Sequence, residues 1–293
     1  MKEIALKESD ISKLKEYPLD GIWSTESKIF YYKRDKDKDW SNSTLLKKLY
    51  ITKEERVNRK IETINALQDS ELATYKELVI PDEMVIIGGV KGGFTIREIM
   101  NSDNLSLILN NKKIPDTTKI ELLKKIGELV RRVQSQAQEF YFGDLQDFNF
   151  LVDKEGNIYV IDLDSSAVNQ ELPLETKFII IDKKTHNINK YRVDEEHRSY
   201  PSIDTDIYCY NTMVLNYLAG KKIHRLTYGE FYDYIEYLKK IGIPKPMIDI
   251  YINHYTDKEN ELVVDYLDEI PSIPKADYGV YTYLKRYKQN KKD

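Results

Sequence analysis

The chain predicts an α+β fold with two lobes: a small strand-rich one carrying a single helix over residues 1–98, then a larger, mainly helical one over residues 99–293. Three observations predict it. Short runs rich in β-branched and aromatic residues crowd the first hundred positions. Apolar residues at helical spacing dominate beyond about residue 100. Between the helical stretches lies one β–turn–β unit, residues 150–161, flanked by oxygen-bearing side chains.

Residues 29–32 and 44–50 read as strands, and the charged stretch 33–39 between them as a solvated hairpin loop. Val57, Ile61, Ile64 and Leu67 recur at helical spacing and predict one amphipathic helix within 53–68. Two more strands follow at 83–87 and 94–99, joined by a glycine-rich turn at 88–93. In the second lobe, Ile120, Leu123, Gly127, Val130 and Val133 mark one face of a helix over 117–137. A mostly apolar segment at 206–219 reads as a buried helix, and further helical patterns cover 231–241 and 247–254. Residues 165–203 form a long segment of mixed character, of the sort that carries function, and the lysine-rich stretch 285–292 reads as a solvated tail.

Composition narrows the function classes. The chain has 293 residues, 41% hydrophobic and 32% charged, the balance of a globular protein rather than a disordered one. A formal net charge of −4 gives no global basic field to recruit nucleic acid or a membrane surface. No apolar run approaches 20 residues, and the opening residues lack the apolar stretch of a signal peptide, so the expected address is the cytoplasm. A lone cysteine, Cys209 between Tyr208 and Tyr210, is expected to be a buried thiol. The histidines, His186, His197, His224 and His254, have no metal-ligand spacing.

The chemistry concentrates in 141–165. Residues 150–152 and 158–161 read as strands of a hairpin, with 153–157 as the turn. Asp144 and Asn149 then precede one strand and Asp162 follows the other. Antiparallel strands lie only about 5 Å apart, so the hairpin folds the three positions together. Two carboxylates and an amide converging this way suit a hard cation such as Mg²⁺ bridging phosphates. The spacing of Asp144 to Asn149 (149 − 144 = 5), followed by Asp162-Leu163-Asp164, resembles the catalytic loop and Asp-Phe-Gly segment of protein kinases.

The order of elements is similar to the two-lobed protein-kinase fold throughout. The resemblance implies ATP and Mg²⁺ as cofactors and a Ser/Thr protein kinase-like phosphotransferase as the activity. Asp144 would be the catalytic base, and Asn149 and Asp162 the metal-holding residues. Lys47 would neutralise the nucleotide phosphates; Lys48 is its alternative, because a one-residue register change swaps strand faces. Glu62, Glu55 and Asn58 are the candidates for the helix residue that orients the lysine. Ile96 falls at the gatekeeper position, with Arg97 and Ile99 offering backbone groups to a base. Asp206 falls where the family braces its catalytic loop, and an N-cap for the helix at 207–219 accounts for it equally.

Departures bear on the activity. Phe142-Gly143 stands where the family has His-Arg, which removes the pocket that reads an activation-segment phosphate. Asp164 stands in place of the glycine of Asp-Phe-Gly and is read either as extra charge for the metal or as a turn cap. Only Gly21 appears where a glycine-rich phosphate loop belongs, with Ser24 and Thr25 as partial substitutes. The alternatives are a pseudokinase that binds nucleotide or a partner without transfer, and a small-molecule kinase of the aminoglycoside or choline type. The expected partners are therefore ATP and a hydroxyl acceptor, protein or small molecule, with no nucleic acid and no membrane.

Overall fold

A computed structural model describes residues 1–18, 27–33, 43–50, 54–135, 140–168, 179–182, 187–190, 203–220, 228–253 and 261–270. In chain order its elements are β1 (Lys2–Leu6), α1 (Glu8–Ile11), β2 (Ser27–Lys33), β3 (Thr44–Leu49), α2 (Glu54–Gln68), β4 (Glu83–Ile87), β5 (Val90–Arg97), β6 (Ser102–Asn104), α3 (Leu105–Asn110), α4 (Asp116–Gln134), β7 (Phe140–Tyr141), β8 (Phe150–Asp153), β9 (Ile158–Val160), β10 (Ala167–Val168), β11 (Ile179–Asp182), β12 (Asn187–Lys190), α5 (Ile203–Ala219), α6 (Tyr228–Lys240) and α7 (Lys245–Asn253). Short 3-10 turns occupy Glu71–Thr74, Asp147–Asn149, Leu163–Ser165 and Val263–Glu269. The fold is mixed α+β. The chain divides into two compact units, one of residues 1–108 with 136–176 and one of residues 109–135 with 177–293. Among the described residues no helix is long and apolar enough to cross a membrane.

The first unit is built on a five-stranded sheet in the order β1-β4-β5-β3-β2. β1 runs parallel to β4, and the other pairs are antiparallel. Alternation along β3 decides what each face carries. Leu49 on one face packs with Phe94 and Met84 against Val57, Ile61 and Ile64 of α2. Leu46 on the other face packs with Phe30, Val85, Ile87 and Ile11 of α1. Ile64, Phe94 and Leu46 are fully buried, and each such side chain stabilises the fold by about 1.5–3 kcal/mol relative to exposure. Lys47 lies opposite Phe94 in the ladder, so it belongs to the α2 face, and Lys48 belongs to the α1 face.

The helix expected within 53–68 forms at Glu54–Gln68, and the strands expected at 44–50 and 83–87 are each found within a residue. Two local readings change. Only Gly88 and Gly89, both with positive φ (59° and 90°), make the turn, and β5 begins already at Val90. Gly92 and Gly93 are therefore strand residues. β1 has no counterpart among the expected strands: its partner lies some 80 residues away, so no local pattern announces it. The loop at 34–39 and the phosphate-loop substitutes Gly21, Ser24 and Thr25 lie outside the described residues, as do the four histidines and the lysine-rich tail. Just before that loop, Glu16 bridges Phe30, and the Tyr17 N–H donates to the Ile29 carbonyl at 2.9 Å.

Among its described residues, the second unit is helical apart from the β11–β12 pair. α4 buries Leu122, Leu123, Ile126, Leu129, Val130 and Val133. The Tyr210 hydroxyl of α5 donates to the Leu123 carbonyl at 2.8 Å, and it passes so close to Gly127 that a Cβ there would sit 2.5 Å from the tyrosine oxygen. Asn211 ties α5 to the next turn by donating to the Glu261 carbonyl (2.7 Å) and accepting from the Val263 N–H (2.9 Å). Asp206 is fully buried inside the first turn of α5, which starts at Ile203, so it is not the cap of that helix. Cys209 forms no disulfide and is half-buried, more open than expected.

Gly93 is the tightest approach in the sheet. A Cβ there would lie 2.3 Å from the Lys47 carbonyl oxygen, a backbone atom that cannot rotate aside. Gly93→Ala should lower stability by about 1–3 kcal/mol through overpacking of β3 against β5. Chemical denaturation checks this, and an unchanged midpoint would contradict the pairing of Lys48 with Gly93.

Candidate functional site

The β8–β9 hairpin forms because its turn is locked by one side chain. Asp153 accepts from the backbone N–H of Glu155 (3.0 Å) and Asn157 (2.8 Å), from the Asn157 side-chain amide (2.8 Å) and from the Tyr159 hydroxyl (3.0 Å). Burial raises the Asp153 carboxyl, and these bonds together outweigh it and hold the group below its usual range. The register pairs Phe150 with Val160, and the Ile161 N–H donates to the Asn149 carbonyl at 2.9 Å. Asn149 thus lies alongside the residue before Asp162. Its side-chain amide reaches the other way, donating to the Asp144 carbonyl (2.7 Å) and carboxylate (3.2 Å). The Gln146 amide also donates to both Asp144 carboxylate oxygens, at 2.9 and 2.8 Å. Asp144, Asn149 and Asp162 are accordingly neighbours at one end of the hairpin.

Before this loop, Phe142 is buried with its ring edge-on to Phe140, centroids 4.7 Å apart. Gly143 takes φ 73°, a left-handed turn that directs the chain into Asp144. Asp162 likewise has φ 67° and ψ 31°, and it starts the 3-10 turn Leu163–Ser165. Non-glycine residues held in this region cluster at functional sites.

The left-handed turn at Asp162 aims two carboxylates at Lys47. The Lys47 ammonium contacts Asp162 Oδ1 and lies 2.6 Å from Asp164 Oδ1. Behind Asp164, Lys60 of α2 sits 3.0 Å from Oδ2 as an ion pair and donates to Ser165 Oγ at 3.1 Å. The burial is graded: the side chains of Lys60 and Asp164 are 1% exposed, Lys47 10% and Asp162 40%. Lys60 survives without water only because it is paired; an unpaired ammonium at that depth would cost several kcal/mol.

Electrostatics separate the two aspartates. Burial alone would raise the Asp164 carboxyl, but Lys47 and Lys60 outweigh it and hold the group well below the usual carboxylate range. For Asp162 the Lys47 charge pulls downward, yet burial and the neighbouring Asp164 charge leave it raised. Burial works against the Lys47 ammonium, and the two carboxylates more than compensate, so its proton is held more tightly than on a free lysine. Asp164 is thus a fixed anion, and Asp162 is the more available one.

The expected site residues fall as follows. Of the two candidate lysines, Lys47 reaches the acidic pair, whereas Lys48 is on the opposite face and bonds Glu8 at 2.9 Å. None of the α2 residues proposed to orient Lys47 does so: Glu62 is exposed, Glu55 pairs with Arg59, and Asn58 accepts from Lys91. Asp164 is neither a turn cap nor an open ligand, since it is the buried counter-ion of two lysines. Ile96 lies opposite Leu45, and Arg97 ends β5 opposite Thr44, with its guanidinium on the Lys76 carbonyl at 2.8 Å. The Ile99 carbonyl accepts from Ser102 Oγ at 2.7 Å. Lys60 is the residue the sequence reading missed. Its signal was a lysine three positions after Val57 and four before Ile64, inside the apolar stripe, where a charge needs a buried partner.

Asp162 and Asn149 are the residues whose oxygens could hold a magnesium ion. No described residue bonds Asp162 Oδ2 or the Asn149 side-chain oxygen, and two protein oxygens are what such an ion takes when water and phosphates complete its shell. No group of three His, Cys, Asp or Glu side chains able to hold a metal occurs among the described residues. No protein-family model matches the chain, and no curated protein matches it significantly.

The depressed Asp164 carboxyl sets a pH dependence. Its stabilising contribution is complete above the ordinary carboxylate pKa of about 3.9 and is lost as pH falls through the lower folded value. Asp164→Asn strands the buried Lys60 ammonium and leaves Lys47 with Asp162 alone, which should cost about 3–5 kcal/mol at neutral pH. The gap in melting temperature between wild type and variant should narrow on acidification. Thermal melts from pH 7 to pH 3 check this; a gap that widens refutes the assignment.

Proposed function

We propose that the chain is an ATP–Mg²⁺-dependent phosphotransferase of protein-kinase type that acts on a Ser or Thr hydroxyl. The observation that carries this reading is the Lys47–Asp162 contact at the end of a hairpin whose other arm fixes Asp144 through Asn149. The chain order of a sheet with α2 against one face, then α3 and α4, then the hairpin, then α5 to α7, supports the same reading.

In this reading Lys47 neutralises charge on the nucleotide phosphates. Asn149 and Asp162 would hold the magnesium, which would supply positive charge to the phosphates. Asp144 takes the proton of the acceptor hydroxyl as its oxygen bonds to the γ-phosphorus. The bond from that phosphorus to the β–γ bridging oxygen breaks, and ADP departs with the electron pair. The amides of Asn149 and Gln146 orient the Asp144 carboxylate and leave its acceptor-facing lone pairs to the substrate. Catalysis of this kind rests on positioning and electrostatics.

The test is transfer of ³²P from γ-labelled ATP to the chain itself, to generic protein acceptors and to small aminoglycoside or choline-like alcohols. Asp144→Ala should reduce transfer by about 10²–10⁴-fold, the range for loss of a general base. Equal labelling by wild type and variant removes Asp144 from this role. Wild type that binds nucleotide but labels nothing corresponds to the pseudokinase alternative.

A further inference from the structure

Among the described residues Lys60 is the most deeply buried lysine, the phosphotransfer reading leaves it without a task, and its surroundings are unusually complete. Its ammonium meets Asp164 at 3.0 Å and Ser165 Oγ at 3.1 Å, both on the turn that follows Asp162. Asp164 in turn meets Lys47 at 2.6 Å. A chain of charges therefore runs from the buried side of α2 to β3 through one aspartate.

Charge arithmetic gives that chain a purpose. In the structure Lys47 and Lys60 balance Asp162 and Asp164, and the four sum to zero. Asp162, 40% exposed, is the only one of the four open to a cation from solvent. Once its carboxylate is drawn to such a cation, Lys47, Asp164 and Lys60 remain with a net charge of +1, and Asp164 alone tethers Lys47. Asp164 cannot follow Asp162 outward, because Lys60 holds that turn through both Asp164 and Ser165. An acidic residue on α2 in place of Lys60 would leave the same trio at −1, which would oppose an anionic ligand.

We propose that Lys60 is a positioning residue for nucleotide binding: through Asp164 it holds Lys47 toward the site and supplies the buried positive charge that makes the site attract phosphates. The inference rests on the phosphotransferase reading for the identity of the ligand, and its test separates the two. Lys60 does not touch the phosphates, so its loss acts on affinity more than on the chemical step.

The experiment uses the full chain and four variants: Lys60→Met, Lys60→Arg, Asp164→Asn and the double variant Lys60→Met/Asp164→Asn. Three readouts are taken: the melting temperature, the Kd of ATP with and without magnesium (the latter in EDTA), and the KM and kcat of phosphate transfer. Lys60→Met should weaken ATP binding about tenfold or more in both metal conditions, the equivalent of one lost charge interaction. It should raise KM more than it lowers kcat, and Lys60→Arg should restore most of the affinity. The double variant carries no stranded buried charge, so it should melt above Asp164→Asn while its ATP affinity stays low. That divergence between stability and affinity is what a merely structural lysine would not produce.

ATP affinity in Lys60→Met equal to wild type, or affinity in the double variant that recovers along with its melting temperature, overturns the proposal. Wild type that transfers no phosphate while Lys60→Met still weakens ATP binding removes the phosphotransferase reading and keeps this one. Transfer that is intact in wild type and unchanged in Lys60→Met does the reverse. Wild type that neither binds ATP nor transfers phosphate overturns both.

Discussion

Lys60 and Asp164 face each other with almost no access to water, and most of what is notable in the first unit depends on that pairing. Bringing either charge out of water costs several kcal/mol, which is recovered only while its partner stays in place. The pair is therefore a constraint as much as a source of stability. α2, β3 and the turn Leu163–Ser165 share it, so none of the three shifts without exposing or stranding a charge. The hydrophobic packing of Val57, Ile61 and Ile64 on Leu49 and Phe94 sets the distance between α2 and the sheet. The ion network then sets the register of the acidic turn against both.

Asp162 and Asp164 show how two identical side chains two positions apart acquire different characters. The left-handed backbone at Asp162 begins a tight 3-10 turn that buries Leu163 and Asp164 while leaving Asp162 at the surface. Asp164 has two ammoniums and becomes a permanent anion. Asp162 has one, shares it, and is raised by burial and its neighbour's charge. Environment, not residue type, assigns one to structure and the other to exchange with solvent.

Much of this was legible in the sequence, for local reasons. The stripe Val57, Ile61, Ile64, Leu67 located α2 to within a residue, and the run 150–161 with its Asp153–Asn157 turn located the hairpin, because both signals are carried by neighbours in the chain. The association of Asp144, Asn149 and Asp162 followed from hairpin geometry alone. What was not legible depends on distance along the chain. β1 takes its place beside a strand that begins at residue 83, and no periodicity within five residues can encode such a partner. The glycines at 92 and 93 resemble a turn until the closeness of the Lys47 carbonyl explains them. Lys60 stands inside the apolar stripe of α2, but the partner that permits it, Asp164, lies over a hundred positions later, where no local pattern points to it.

The parallel seam between β1 and β4 has a practical side. β4, Glu83–Ile87, is a mostly buried apolar strand, and β1 is what occupies its outer hydrogen-bonding edge, with Lys2 also reaching Glu83 at 3.3 Å. A version of the chain that begins after Leu6 would present Met84, Val85, Ile86 and Ile87 on a bare edge, the arrangement that invites strands of other molecules to add on. Light scattering of such a shortened chain should reveal self-association that the full chain does not show, so any expression design that trims or crowds the first six residues trades a folded edge for an adhesive one.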